Sequence, residues 1–146
     1  MADAEIDEVT RAVANLAEKF TEVADVRRET LEHGIVAVNV KPRNPQALGM
    51  TWLVMKDEIV FQAGHHGGRW ELARTPEDIA WMECVADAVA SGHVWETFGP
   101  KRSRVQVAMK DGTTETDTGY SAGAGLLPVP GWRRRGRSVK YASYFD

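Results

Sequence analysis

Apolar positions along the chain recur with a helical period in two stretches and alternate with polar ones through most of the remainder. The clearest helical pattern is residues 75–92, where Trp81, Met82, Val85, Ala88 and Val89 fall on one face at about 100° per residue while Glu83 and Asp87 point away. Its ends are marked as well. Thr75 offers an N-cap oxygen, and Pro76 suits the first helical position, where its missing N–H has no consequence. Glu77 and Asp78 place negative charge on the positive end of the dipole, and Gly92 ends the helix. In the second stretch Ile6, Val9, Val13, Leu16, Ala17 and Phe20 share a face that Asp7, Glu8, Arg11 and Glu18 avoid. This predicts a helix capped at Asp3 and ending near Thr21 or Glu22.

Strand patterns fill much of the rest. The turn His33-Gly34 leads into an apolar run at 35–40 that Pro42 and Pro45 end, whereas residues 26–33 alternate poorly. Runs at 50–55 and 59–63, separated by Lys56-Asp57-Glu58, suit an antiparallel hairpin. A glycine-rich turn at 64–68 then feeds a short strand, 69–72, with Trp70 and Leu72 on one side. After Gly92, runs at 93–98 and 103–109 are joined by Gly99-Pro100. The second carries Val105, Val107 and Met109 on one face and Arg104 and Gln106 on the other, the mark of a strand with one wet face. Asp111-Gly112 signals a hairpin into 113–118, whose threonines and acids fit an exposed edge strand.

Strands arriving in runs joined by tight turns imply an α+β fold: a mainly antiparallel twisted sheet with two helices packed on one face, the other face wet or open to a partner. One domain spanning 1–146 is expected, without internal repeat. Within it, residues 119–131 form a Gly/Pro-rich loop and 132–146 a basic C-terminal segment.

Composition adds exclusions. No apolar run approaches the ~18 residues of a membrane span, and Cys84 is the single cysteine, so no intramolecular disulfide forms. The N-terminus is acidic and amphipathic instead of basic followed by apolar, so a cytoplasmic protein is expected. Charge is graded along the chain. Residues 1–32 hold nine acids and four bases, residues 33–99 hold eight and five, and residues 100–146 hold four and nine. The tail therefore suits an anionic partner, or the acidic front of its own chain or of a second copy.

Candidate chemistry is sparse. His65-His66, with His93, offers imidazoles to a metal, but neither H-x-x-H nor H-E-x-x-H occurs, so no metal site is predicted. Cys84 lies mid-helix, away from the helix N-terminus where thiols are activated, and reads as a packing residue. The glycines of 119–125 are followed by prolines, with no Lys-Ser/Thr and no helical pattern, which excludes a P-loop or dinucleotide fingerprint. No catalytic residue is singled out, no serine nucleophile among them, and no cofactor is expected.

The strongest local anomaly is Trp132 with Arg133, Arg134, Arg135 and Arg137, four guanidiniums and an indole within six residues. Such a segment can grip carboxylates or phosphates, but a pI near 5.8 is low for a dedicated nucleic-acid binder. The order of strands and two helices resembles, at fold level, small bacterial α+β binding proteins such as secretion chaperones and toxin-immunity proteins. The expected function is a non-enzymatic protein-binding module, chaperone-like or inhibitor/immunity-like. Five tryptophans, together with the exposed edge strand, suggest a homodimer. The alternatives are a small enzyme or ligand-binding protein with a pocket near His65 and His66, and a nucleic-acid binder using Trp132–Arg137.

Overall fold

The computed structural model of the chain describes residues 7–121 and 123–146. Among these described residues nine strands form two antiparallel sheets. The first takes β1 (Ala24–Thr30), β2 (Val36–Pro42), β3 (Met50–Val54), β4 (Ile59–Gln62) and β5 (Arg69–Leu72) in that order. The second, ordered β8-β7-β6-β9, holds β6 (Val94–Gly99), β7 (Arg102–Ala108), β8 (Thr114–Tyr120) and β9 (Arg137–Lys140). The α+β, antiparallel reading therefore stands, with the strands divided between two sheets where one was expected. Where the sheets meet, the backbone ladder breaks: the Arg69 N–H donates to the Asp117 side chain at 2.9 Å.

Helix α2 (Pro76–Ala90) begins and ends where its residues dictate. The Asp78 N–H donates to Thr75 Oγ1, and the Asp78 carboxylate in turn accepts from the Ala73 N–H at 2.8 Å. A cap of this kind is worth about 1 kcal/mol. Gly92, at φ 80°, passes against the backbone of Ala142 and Ser143, where a side chain would collide. Met82, Val85 and Val89 are buried, while Cys84 is exposed.

Helix α1 (Glu8–Asn15) continues as a 3₁₀ segment, Leu16–Phe20. The expected cap Asp3 and the apolar Ile6 lie outside the described residues. Asp7 caps α1, accepting from the Thr10 N–H at 2.7 Å. The buried stripe is Thr10, Val13, Ala14, Ala17 and Phe20, so Val9, placed on that face by its period, is 39% exposed instead.

One continuous core joins α1, α2 and both sheets. At its centre the fully buried Trp52 stacks on Phe61 at 6.0 Å and donates its indole N–H to the Val13 carbonyl, which ties β3 to α1. The stack adds about 0.5–1.5 kcal/mol to its burial. Two segments depart from expectation. Strand β1 has little alternation because its outer residues, Arg28 to Thr30, are exposed on both faces, and pairing with β2 defines it. The C-terminal segment is woven into the fold: β9 pairs with β6, and Tyr144 is buried against Phe20 with its hydroxyl on the Leu48 carbonyl. Among the described residues, no helix is long and apolar enough to cross a membrane.

Candidate functional site

The glycine- and proline-rich loop emerges from β8, turns through a 3₁₀ segment, Gly123–Leu126, and leads into the short helix α3 (Trp132–Arg135). It is anchored from beneath by Arg102, which is 3% exposed. The Arg102 guanidinium donates to the carbonyls of Pro100 and Leu127 at 2.7 and 2.6 Å and lies over the Tyr120 ring. Trp132 packs over Gly99 at the end of β6, where any Cβ would strike the indole. Its ring is therefore held inside the chain, 8% exposed, and the outward part of this segment is Arg133, Arg134 and Arg135.

None of these three arginines forms an ion pair among the described residues. Arg135 donates to the Pro130 carbonyl, and Arg133 lies over Trp132. Earlier in the chain Tyr120, at the end of β8, and Leu126 and Leu127 in the loop are exposed by 44, 68 and 62%. An open groove of ≈ 430 Å³ is lined by Tyr120, Pro128, Val129, Trp132, Arg133 and Arg134.

Arg137 leaves this cluster. Directly paired residues of antiparallel strands share a face, so Arg137 sits with its partner Phe98 and not with the residues that alternate with it. Its guanidinium covers the Phe98 ring at 5.1 Å, and the His65 ring meets the same phenyl edge-on at 5.8 Å. The structure thus splits the basic run and brings Arg137 to the predicted ligand-binding pair.

His65 and His66 occupy the turn between β4 and β5, their rings edge to face at 5.4 Å. A buried carboxylate holds that turn. Glu96, fully buried on β6, accepts from the His65 N–H and the Ser103 hydroxyl, both at 2.6 Å, and from the Tyr141 hydroxyl at 2.6 Å. Ser103 Oγ accepts in turn from the N–H groups of His66 and Gly67. Burial first, then the bond to Glu96, pushes the Tyr141 hydroxyl well above its ordinary pKa, with Arg137 pulling the other way. Gly119 makes the fit possible, since a Cβ there would fall inside the His66 carbonyl.

The imidazole of His66 reaches beyond the turn. Its Nδ1 lies 3.2 Å from Ser121 Oγ, beside an open groove of ≈ 490 Å³ lined by His66, Arg69, Trp70, Asp117 and Tyr120. Residues 119–123 read Gly-Tyr-Ser-Ala-Gly, a G-x-S-x-G run, which corrects the expectation that the chain carries no serine-nucleophile pattern. Glu96 carried a legible signal too. In Val94-Trp95-Glu96-Thr97-Phe98 it stands at the inward positions of the alternation, where an acid requires donors.

Among the described residues no group of three or more His, Cys, Asp or Glu side chains could hold a metal ion. Four of the five tryptophans are turned to internal use: Trp52 and Trp132 are buried, and Trp70 and Trp81 meet edge to face against the core, while Trp95 is half-buried on the outer face under Lys140. The threonine-rich edge, β8, is approached by β5 and by the 64–68 turn, where Gly67 lies against the Asp117 carbonyl. The β8 edge and four of the tryptophans thus have roles in the chain's own packing. Set against known proteins, the chain matches no family model, no curated protein and no solved structure.

Proposed function

We propose that the chain is a protein-binding module that docks an acidic segment bearing apolar side chains on the surface formed by the loop after β8, α3 and the outer face of the second sheet. One observation carries the reading: the exposed Tyr120 shares a groove with Pro128, Val129, Arg133 and Arg134, arginines without an acid among the described residues, and the same loop leaves Leu126 and Leu127 exposed. An apolar strip with an arginine rim is the usual build of a protein interface.

Charge supports the acidic partner. No acid occurs between residues 118 and 145, in a chain whose net charge is −3. The alternation of β8 sends Thr114, Thr116 and Thr118 to one face and Glu115 and Asp117 to the other. Those two acids accept from Trp81 and Arg69 on the inner side. The outer face consequently presents Arg104, Lys140, Gln106 and hydroxyls, and the Arg104 Nε is buried with no acceptor.

Nucleic acid fits this surface less well. Base stacking needs free aromatic faces, and here Lys140 covers Trp95, Arg102 covers Tyr120, and Trp132 is buried.

The test is an array of peptides mixing Asp or Glu with Leu or Phe, set against copies with Gln at the acidic positions. Binding of the acidic set is then measured in solution by fluorescence polarisation, with a single-stranded oligothymidylate as the competing probe. The expected result is preference for the acidic apolar peptides, weakened roughly tenfold by Arg133→Glu with Arg134→Glu. Binding that follows the oligothymidylate, with a steep linear fall of log affinity against log salt, would replace this reading with nucleic acid.

A further inference from the structure

We infer that Ser121 and His66 form a nucleophile–base pair able to cleave small carboxylic esters, an activity other than docking, at a groove that meets the docking surface at Tyr120.

Three observations converge on this pair. The first is the G-x-S-x-G run, in which flanking glycines leave the serine oxygen approachable. The second is context: Ser121 follows the last residue of β8, and a 3₁₀ segment, Gly123–Leu126, begins two residues after it, so the serine lies between a strand and a helical segment. The Ser121 N–H is fixed by the Lys101 carbonyl at 2.8 Å. The third is geometry. Ser121 Oγ and His66 Nδ1 are 3.2 Å apart, within the looser range of an empty nucleophile–base pair.

What distinguishes the contact from a chance surface hydrogen bond is how firmly His66 is held. Its N–H donates to Ser103, its carbonyl lies against Gly119, and the neighbouring His65 N–H donates to the buried Glu96. Gly64 and Gly68, at φ 140° and 80°, give the turn a path that residues with side chains rarely adopt. Glu96 and Ser103 act here as positioning residues, since they touch the backbone of the turn and not Ser121.

The chemistry balances with water as the only co-reactant. In the neutral tautomer protonated at Nε2, Nδ1 accepts the Ser121 proton as Oγ attacks the ester carbonyl carbon. The carbon–oxygen bond to the alcohol then breaks, and the alcohol leaves with the proton held by His66. Water attacks the acyl-serine, His66 takes its proton, and the carboxylic acid departs as Ser121 regains its own. The groove beside the pair, with Trp70 and Tyr120 in its wall, suits a small acyl group with an apolar face.

The test is covalent labelling of the full chain with a fluorophosphonate, which phosphonylates an activated serine and releases fluoride. Mass spectrometry of the digested protein should place the adduct on Ser121, in native protein and not in protein unfolded in urea. Ser121→Ala should abolish it. His66→Gln should slow it by about a hundredfold, the usual share of a general base, while His93→Ala, at an exposed site away from the pair, should leave the rate unchanged. Absence of an adduct on Ser121 in the folded wild-type chain would overturn the inference. So would an adduct that forms equally fast in urea, or one indifferent to His66→Gln in a variant shown to be folded by circular dichroism. Peptide docking measured on the same samples would stand or fall separately.

Discussion

Replacing Glu96 is the sharpest probe of how the two halves of the chain are joined. The side chain is fully buried and its carboxylate accepts three hydrogen bonds at 2.6 Å, from the His65 N–H and the Ser103 hydroxyl on Oε2 and from the Tyr141 hydroxyl on Oε1. In Glu96→Ala all three donors lose their acceptor. Tyr141 is only partly buried and can turn to water, but the other two face the interior. A buried donor left without a partner costs about 1–3 kcal/mol, and the cavity adds to that, so a loss of about 3–5 kcal/mol is expected.

Glu96→Gln separates hydrogen bonding from mere space filling. Ser103 Oγ already accepts from His66 and Gly67, so its proton must point at residue 96, and the amide oxygen has to occupy the Oε2 position. The amide nitrogen then faces Tyr141, whose hydroxyl can rotate to accept. One charge-assisted set becomes neutral without stranding a donor, for about 1–2 kcal/mol. Urea unfolding measures both variants, and amide hydrogen exchange at His65, His66 and Gly67 should accelerate in the alanine variant before global unfolding does. A loss below about 1 kcal/mol for Glu96→Ala, or equal losses for the two variants, would refute the argument that acceptor geometry holds the turn.

Two further outcomes are open to simple measurement. Asp7 has its pKa lowered to about 2, first by the hydrogen bond from Arg74 and next by the Thr10 N–H. A depressed carboxylate pKa contributes stability above the ordinary value of 3.8, and the contribution is lost as pH falls toward 2. Asp7→Ala should therefore cost about 1 kcal/mol at neutral pH, most of it the helix cap because the carboxylate is half in solvent, and the gap to wild type should close between pH 4 and pH 2 in urea titrations. In light scattering at micromolar concentration, the chain should run at its own mass of 16.2 kDa, since four of the five tryptophans and the β8 edge are engaged internally. A species of twice that mass would show that another surface pairs two copies.

How much of this was readable in the sequence depended on whether the signal was local. Helix α2 was legible because cap, proline, dipole acids and stop glycine lie within one stretch. The hairpins were legible because Asp111-Gly112 and Lys56-Asp57-Glu58 break clear alternations. Strand β1 was not, because its pattern is supplied by β2, to which it is paired over its whole length. The division into two sheets was hidden for a similar reason: it depends on side-chain contacts, Arg69 with Asp117 and Glu96 with His65, between residues far apart in sequence. Of the basic run, spacing located the charge but not its direction. Only the register of β9 against β6 shows that Arg137 faces away from Arg104 and Lys140.

The same long-range contacts decide what the site can do. The turn with His65 and His66 belongs to the first sheet by chain order, yet its N–H groups are satisfied by Glu96 and Ser103 of the second. A turn held only by its own glycines would sample many positions, and an imidazole on it would meet Ser121 rarely. Clamped by a buried acceptor, with its carbonyl resting on Gly119 at the end of β8, it is delivered to the strand from which Ser121 emerges. The opposite face of that strand carries the threonines beside Arg104, and Tyr120 borders the groove of Arg133 and Arg134. One strand thus carries both a surface suited to an acidic partner and a pair suited to acyl transfer, which meet at Tyr120, and Glu96 holds the second from the inner face. Glu96→Ala should consequently cut phosphonylation of Ser121 while leaving peptide docking on the other face near its wild-type strength, provided the variant is assayed where it is folded.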